Sequence, residues 1–156
     1  MRRTRSLLAL VALATPLAMA CGGRQRPATR PSVEYLTPYG RPERPFSPAV
    51  RVGEMIYVSG QIGMPLAGAT APLGGIEAET RQALENIRDI LERSGSSLDR
   101  VVKCTVMLAD IRDYDAMNAV YASFFPTNKP ARSTFATTGL ALGARVEIEC
   151  WATAGR

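Results

Sequence analysis

The chain has 156 residues, 46% hydrophobic and 21% charged, which is enough for one ordinary core and typical of a folded globular domain. Its formal charge is +5, but the arginines gather near the N-terminus without interleaved aromatic residues, so no nucleic-acid partner is expected. The sequence contains no histidine, which excludes Ser-His-Asp triads, histidine acid–base chemistry and histidine zinc sites.

Residues 1–20 have the pattern of an export signal. A basic start precedes an apolar run that is too short to span a bilayer, and small residues follow up to Ala20. Cys21 comes next, and this junction resembles a bacterial lipobox, in which the cysteine becomes lipidated. The alternative is an ordinary signal peptide cleaved after Ala20. We expect an exported protein anchored through Cys21 to a membrane surface, at the outer membrane or facing the periplasm.

Residues 21–44 are rich in proline, arginine and threonine and lack periodicity. This composition predicts a flexible tether, and the folded domain is expected over residues 45–154. A strand is predicted over residues 55–59, with an extra strand or two in front of it, and the breakers in residues 64–75 predict a loop. An apolar stripe with helical spacing predicts a helix over residues 76–94.

The second half of the chain continues with a strand, a helix and two strands. β-branched residues predict a strand over residues 101–108. The next helix is predicted to begin near Asp113, a plausible N-cap, and it must end before Pro126. Two strands are predicted over residues 133–138 and 145–151. The last one alternates, with Val146, Ile148 and Cys150 on one side and Arg145, Glu147 and Glu149 on the other.

This order of elements predicts a single α+β domain with two helices on one face of a sheet. The other face would carry Glu147 and Glu149, and it must meet water or another subunit. Cys104 and Cys150 both lie on the apolar side of predicted strands, so buried thiols are expected. Export would permit a disulfide, but the sequence does not bring the two cysteines together.

Several separated motifs point to one family. They are Pro-Phe-Ser-Pro-Ala at 45–49, Tyr-Val-Ser-Gly-Gln at 57–61, Asn-Ala-Val-Tyr-Ala at 118–122, Pro-Ala-Arg-Ser-Thr at 130–134 and Val-Glu-Ile-Glu at 146–149. In this order and spacing, the sequence resembles the reactive intermediate deaminase family, RidA or YjgF, over about residues 45–152. The resemblance implies a chorismate-mutase-like α+β fold with a mixed sheet, assembled as a homotrimer with clefts between subunits.

The resemblance also implies a site and a reaction. Arg132 would bind the substrate carboxylate and Glu147 would activate water, so that 2-imino acids are hydrolysed to 2-keto acids and ammonia without a metal or other cofactor. The other substrate-binding positions that the resemblance implies are Ser59, Gly60, Phe46, Asn118 and Thr134. Phe46 stands where family members often carry tyrosine, so a hydroxyl contact is lost there.

The chemistry of the two main residues agrees with these roles. Arginine presents a charged planar fork that matches a carboxylate, and one carboxylate can take a proton from water and return it to nitrogen. Structural alternatives remain open: Arg132 as an ion-pair partner, Glu147 as a solvated strand residue, and Ser59 and Asn118 as turn and cap groups. An exported protein would also lie apart from the cytoplasmic enzymes that produce 2-imino acids. The same clefts could therefore bind small carboxylates without turnover, or the fold could serve as a scaffold for surface interactions.

Overall fold

The computed structural model describes residues 30–40, 44–66, 71–72 and 74–155. The proposed signal segment and Cys21 lie outside these residues. The strands are β1 Val33–Leu36, β2 Ala49–Val52, β3 Met55–Ile62, β4 Val101–Leu108, β5 Ala131–Ala136 and β6 Val146–Thr153, and the α-helices are α1 Ile76–Arg93 and α2 Tyr114–Phe124. In the described part of the chain, no helix is both long and apolar enough to cross a membrane.

The strands form one mixed sheet in the order β1-β2-β3-β6-β4-β5. β4 and β5 run parallel, and the other neighbours run antiparallel. Helix α1 packs on β3 and β6, and α2 packs beside α1. Their apolar residues join those of the sheet in one core. The predicted α+β fold, with two helices on one face of a mixed sheet, is confirmed.

Helix α1 forms where the apolar period predicts it. Leu84, Ile87 and Leu91 are fully buried, because the spacing of three and four residues places them on the face that meets the sheet. The helix ends at Arg93, Ser94 is its C-cap, and Gly95 follows with φ of 77°. This left-handed conformation favours glycine at the end of a helix.

The prediction that residues 21–44 are a tether is wrong for its last part. Strand β1 lies within that range and pairs with β2, with Tyr35 opposite Val50. Further along, the Tyr39 hydroxyl donates to Asp89 on α1 at 2.6 Å. A strand of only four residues, flanked by prolines and arginines, has too little sequence pattern to be predicted. It forms at the edge of the sheet because it pairs with β2.

Asp113 lies next to the start of α2, as predicted, but its carboxylate does not cap the helix. It accepts two hydrogen bonds from the Arg145 guanidinium, at 2.9 and 2.6 Å. The backbone N–H of Arg145 donates in turn to the buried Glu79 carboxylate at 2.7 Å. These contacts tie the start of β6 to both helices, and Glu147 follows two residues later.

The expectation of two separate buried thiols is also wrong. Cys104 and Cys150 face each other across the antiparallel β4–β6 pair and form a disulfide, with their Cα atoms 4.1 Å apart. Both residues are fully buried. Alternation places each cysteine on the helix side of its strand, but only the pairing register brings them together.

The sheet face opposite the helices is mixed in character. It carries Glu147 and Glu149 as predicted, beside Lys103, whose ammonium donates to Ser133 Oγ at 2.7 Å. It also presents aromatic residues that the strand patterns do not predict there. Tyr57 and Trp151 pack edge to face with ring centroids 5.2 Å apart, and Phe135 is 46% exposed. A face with this much exposed aromatic surface is suited to contact another protein surface.

Candidate functional site

Arg132 lies on the outer strand β5, on the side of the sheet that the helices cover. It is in register with the buried Cys104 of β4, and its side chain reaches α2. Its Nη2 donates to Asn118 Oδ1 at 2.8 Å and to the Tyr114 hydroxyl at 3.0 Å. Helix α2 therefore holds the guanidinium in one orientation at the edge of the domain.

The groups that hold Arg132 are neutral. Among the described residues, no carboxylate lies within ion-pair distance of its guanidinium. Both recorded hydrogen bonds use Nη2, so Nε and Nη1 make none within the described chain. An ion pair within the described part of the chain therefore does not account for Arg132. A positioned cation without an internal counter-ion can bind an external anion.

Two tyrosines complete the surroundings of this arginine. The guanidinium carbon lies 4.6 Å from the ring centre of Tyr121 and 5.7 Å from that of Tyr114. Burial raises the pKa of Tyr121 to about 12, so its phenol stays neutral beside the cation. The apolar stripe of the helix predicts a core position for Tyr121 and indicates no role for Tyr114. The spacing of Tyr114, Asn118 and Tyr121 on one helical face could have indicated this cradle.

Glu147 lies near the middle of the sheet on β6, between the buried Val146 and Ile148, so it faces away from the helices. It is half-buried, and burial raises the pKa of its carboxyl group, with a smaller contribution from the nearby Glu149. A half-buried carboxylate without a recorded ion pair in the described chain differs from a solvated surface group. The interpretation of Glu147 as a simply solvated residue is therefore not supported.

Gly60 provides the space that Glu147 occupies. It lies in an irregular stretch of β3, where the register with β6 shifts between Val58 and Gln61. A methyl group added at Gly60 would collide with the carboxylate of Glu147. A larger residue at this position would displace the Glu147 side chain, and the Gly60 backbone forms one wall of the carboxylate's surroundings.

Within one chain, Arg132 and Glu147 lie on opposite faces of the sheet. Arg132 shares the helix side with Cys104, whereas Glu147 shares the open side with its register partners Met107 and Ile62. Side chains on the two faces of a strand pair cannot converge on one small molecule. The structure does not bring the two main predicted residues together within a single subunit.

The remaining predicted positions divide between these two places. Asn118 orients Arg132, so it is not a helix cap. Thr134 follows on β5, and its buried Oγ1 has no partner in the described structure. Near Glu147, the Ser59 hydroxyl donates to the Ser47 carbonyl at 2.7 Å, which is the turn role that the sequence left open. Phe46 is exposed and lines a cleft together with Gly60.

The described residues contain no cluster of three or more histidine, cysteine or acidic side chains that could hold a metal ion. The groups at the candidate site are one oriented guanidinium and one half-buried carboxylate, with glycine backbone beside the carboxylate.

Comparison with known proteins identifies the family. Residues 39–154 match the profile of the family described as Endoribonuclease L-PSP. A 2-iminobutanoate/2-iminopropanoate deaminase of Capra hircus is 47% identical over 112 residues, which are 71% of this chain and 81% of that protein.

Solved structures agree with this match. The YjgF gene product from E. coli has a TM-score of 0.67 and 33% identity, over 72% of this chain and 90% of that one. E. coli TdcF with bound serine has a TM-score of 0.66 and 30% identity, over 72% and 90%. The profile match begins at residue 39, ahead of the predicted boundary at Pro45. On these grounds the chain belongs to the endoribonuclease L-PSP family, the RidA/YjgF family that its motifs resemble.

Proposed function

We propose that this protein hydrolyses 2-imino acids to 2-keto acids and ammonia. The observation that carries the proposal is the state of Arg132, a guanidinium held by Asn118 and two tyrosines with no internal counter-ion in the described chain. Such a group fits a substrate carboxylate. Relatives named 2-iminobutanoate/2-iminopropanoate deaminase, at 43–47% identity, support the same reaction.

We further propose that the site forms between two copies of the chain in a homotrimer. Arg132 of one subunit would meet Glu147 of the next, because the two residues face opposite sides of the sheet within one subunit. The exposed Tyr57, Trp151 and Phe135 on the open face supply apolar surface for such an interface. Closed cyclic symmetry would then make every site equivalent.

The reaction starts from the protonated imine and needs one water molecule and three proton movements. Glu147 takes a proton from water as the water oxygen bonds to C2 and the C=N bond becomes single. The protonated carboxyl group then gives its proton to the nitrogen, and the C–N bond breaks as the hydroxyl oxygen forms the C=O bond. The hydroxyl proton passes to the departing ammonia, which leaves as ammonium. The products are a 2-keto acid and ammonium. A pKa raised by burial suits Glu147 to both steps, since it must accept and release the proton in turn.

The family description names a ribonuclease, but this chain offers less support for RNA cleavage. It contains no histidine for acid–base chemistry on a ribose hydroxyl, and its basic residues lack interleaved aromatic residues.

A direct assay tests the proposed reaction. An amino-acid oxidase generates 2-iminopropanoate in situ, and semicarbazide reports the imine that remains. Purified residues 22–156 are expected to accelerate loss of the imine above its spontaneous rate. Binding of pyruvate without any acceleration would instead favour a carboxylate-binding module and reject the enzyme.

The pH dependence of this activity has a predicted direction. Because Glu147 must be ionised to accept a proton, the acid limb of kcat/KM should lie above the ordinary pKa of glutamate, 4.5. Glu149→Gln removes one cause of the raised pKa, so the acid limb should move to lower pH. Glu92→Gln, on the exposed side of α1, is the matched control and should leave the limb unchanged. An acid limb that does not respond to Glu149→Gln would contradict this assignment.

We also propose that the protein is exported and lipid-anchored through Cys21. Two features support this: the signal pattern with Cys21 after Ala20, and the buried Cys104–Cys150 disulfide, a bond that persists mainly in oxidising compartments. Cells that express the full chain should incorporate radiolabelled palmitate, and Cys21→Ser should abolish the label. Equal labelling of both forms would reject lipidation.

Ready maleimide labelling of Cys104 and Cys150 in freshly isolated, denatured protein would reject the oxidised state.

A further inference from the structure

The Tyr114 hydroxyl group accepts a hydrogen bond from Arg132 and keeps its own proton to donate. Nη2 of Arg132 lies 3.0 Å from this oxygen, and because arginine carries only donors, the tyrosine oxygen must be the acceptor. Within the described residues, the Tyr114 O–H donates to no other group. The side chain is 37% exposed, so a molecule that binds Arg132 from outside can reach the hydroxyl.

The hydrogen bonds of Arg132 leave an incomplete fork for a carboxylate. Nη2 carries two N–H groups, and these go to Asn118 Oδ1 and to the Tyr114 hydroxyl. Each planar fork of a guanidinium pairs Nη2 with either Nε or Nη1, so one limb of both forks is used inside the chain. One carboxylate oxygen can accept directly from Nε or Nη1, but the second oxygen then needs another donor.

The two limbs that are used inside the chain end in different groups. The limb toward Asn118 ends in an amide oxygen, which repels a carboxylate, whereas the limb toward Tyr114 ends in a hydroxyl group, which can donate. The hydrogen bond that Tyr114 accepts also polarises its O–H and strengthens the bond that this proton forms. Tyr114 therefore offers the donor that the second oxygen needs.

We propose that Tyr114 is a substrate-binding residue, which donates its O–H to one oxygen of the substrate carboxylate while Arg132 binds the other. The inference rests on the proposed function, and it adds a binding group that lies outside the sequence motifs. It gives the site a phenolic hydroxyl, which position 46 lacks because phenylalanine stands there. A hydroxyl bound to a carboxylate forms one of the stronger hydrogen bonds in proteins.

The backbone at Tyr114 is anchored through the preceding residue. Asp113 accepts two hydrogen bonds from Arg145, at 2.9 and 2.6 Å, directly before Tyr114 begins α2. The Tyr114 ring also lies 5.7 Å from the guanidinium carbon of Arg132. A donor that is held in place before binding loses less conformational freedom when the substrate arrives.

Tyr114→Phe removes this hydroxyl and keeps the ring. Titration calorimetry should show a loss of pyruvate affinity of about tenfold, because a hydrogen bond to a charged group is lost. KM for 2-iminopropanoate should rise by a similar factor, and kcat should change less than about twofold, since Glu147 carries the proton transfers. Retained kcat shows that the variant is folded. Tyr35→Phe, at an exposed position on β1, is the matched control and should bind pyruvate as the wild type does.

A second background separates a direct contact from an effect through Arg132. Arg132→Lys keeps the positive charge but has no guanidinium for Tyr114 to orient. If the hydroxyl contacts the carboxylate, adding Tyr114→Phe to Arg132→Lys should weaken pyruvate binding by a further factor of about three to ten. No further loss in this background would mean that Tyr114 acts only by holding Arg132, and it would overturn the proposal.

The outcomes also separate this inference from the function on which it rests. Unchanged pyruvate affinity in Tyr114→Phe would overturn the inference, as would a wild-type protein that binds no pyruvate. A wild-type protein that binds pyruvate through Tyr114 but accelerates no imine hydrolysis would reject the enzyme and support the contact. An active enzyme whose KM does not respond to Tyr114→Phe would reject the contact alone.

Discussion

Replacement of Glu147 by glutamine is expected to lower kcat for 2-imino acid hydrolysis by about 100- to 10,000-fold, the usual contribution of a general base. Glutamine keeps the size of the side chain and fits the space beside Gly60, but it cannot accept a proton from water. KM should change little, because the substrate carboxylate is bound elsewhere. Steady-state kinetics on in-situ generated imines measure both constants.

The matched control for this variant is Glu92→Gln, an exposed glutamate on α1 that should behave as wild type. Thermal unfolding checks that both variants are folded. If Glu147→Gln retained kcat within about threefold, the carboxylate could not be the base, since general-base catalysis contributes far more than that.

Arg132→Ala is expected to lower kcat/KM by about 10- to 150-fold, because a hydrogen bond to a charged group contributes about 1.5–3 kcal/mol. The loss should appear mainly in KM and in the binding of the product 2-keto acid. Arg132→Lys keeps the charge but lacks the planar fork, so it should restore only part of the affinity. Titration calorimetry with pyruvate measures this independently of turnover.

Arg81→Ala, at an exposed position on α1, is the control for loss of a positive charge. It should leave both kcat/KM and pyruvate affinity unchanged. If Arg132→Ala bound pyruvate as tightly as the wild type, Arg132 would not be part of the substrate site. A loss of activity in that variant would then come from a change in folding.

Much of the fold follows from local sequence. β4 has its predicted bounds because a run of β-branched and apolar residues specifies a buried strand with little help from its neighbours. Helix α1 has its predicted stripe and terminal glycine for the same local reason. β1 was missed because four residues between prolines carry too little pattern, and its strand character comes from pairing with β2.

The site was harder to predict from the sequence than the fold, because its geometry depends on the pairing register of the strands. The identities of Arg132 and Glu147 came from motifs, but alternation within β5 does not reveal which face Arg132 occupies. That depends on its pairing with Cys104, as the disulfide depends on pairing between β4 and β6. Tyr114 and Tyr121 were predictable in principle, since their helical spacing with Asn118 is visible in the sequence.

Mixing two inactive variants tests whether the site is shared between subunits. Arg132→Ala and Glu147→Gln subunits are denatured together at equal concentration, refolded, and assayed for hydrolysis of 2-imino acids. In a randomly mixed trimer, a site is complete when an intact Arg132 meets an intact Glu147 of the next subunit, so about one quarter of wild-type activity should return. Activity no higher than that of the separate variants would contradict a site built from the two faces of neighbouring subunits.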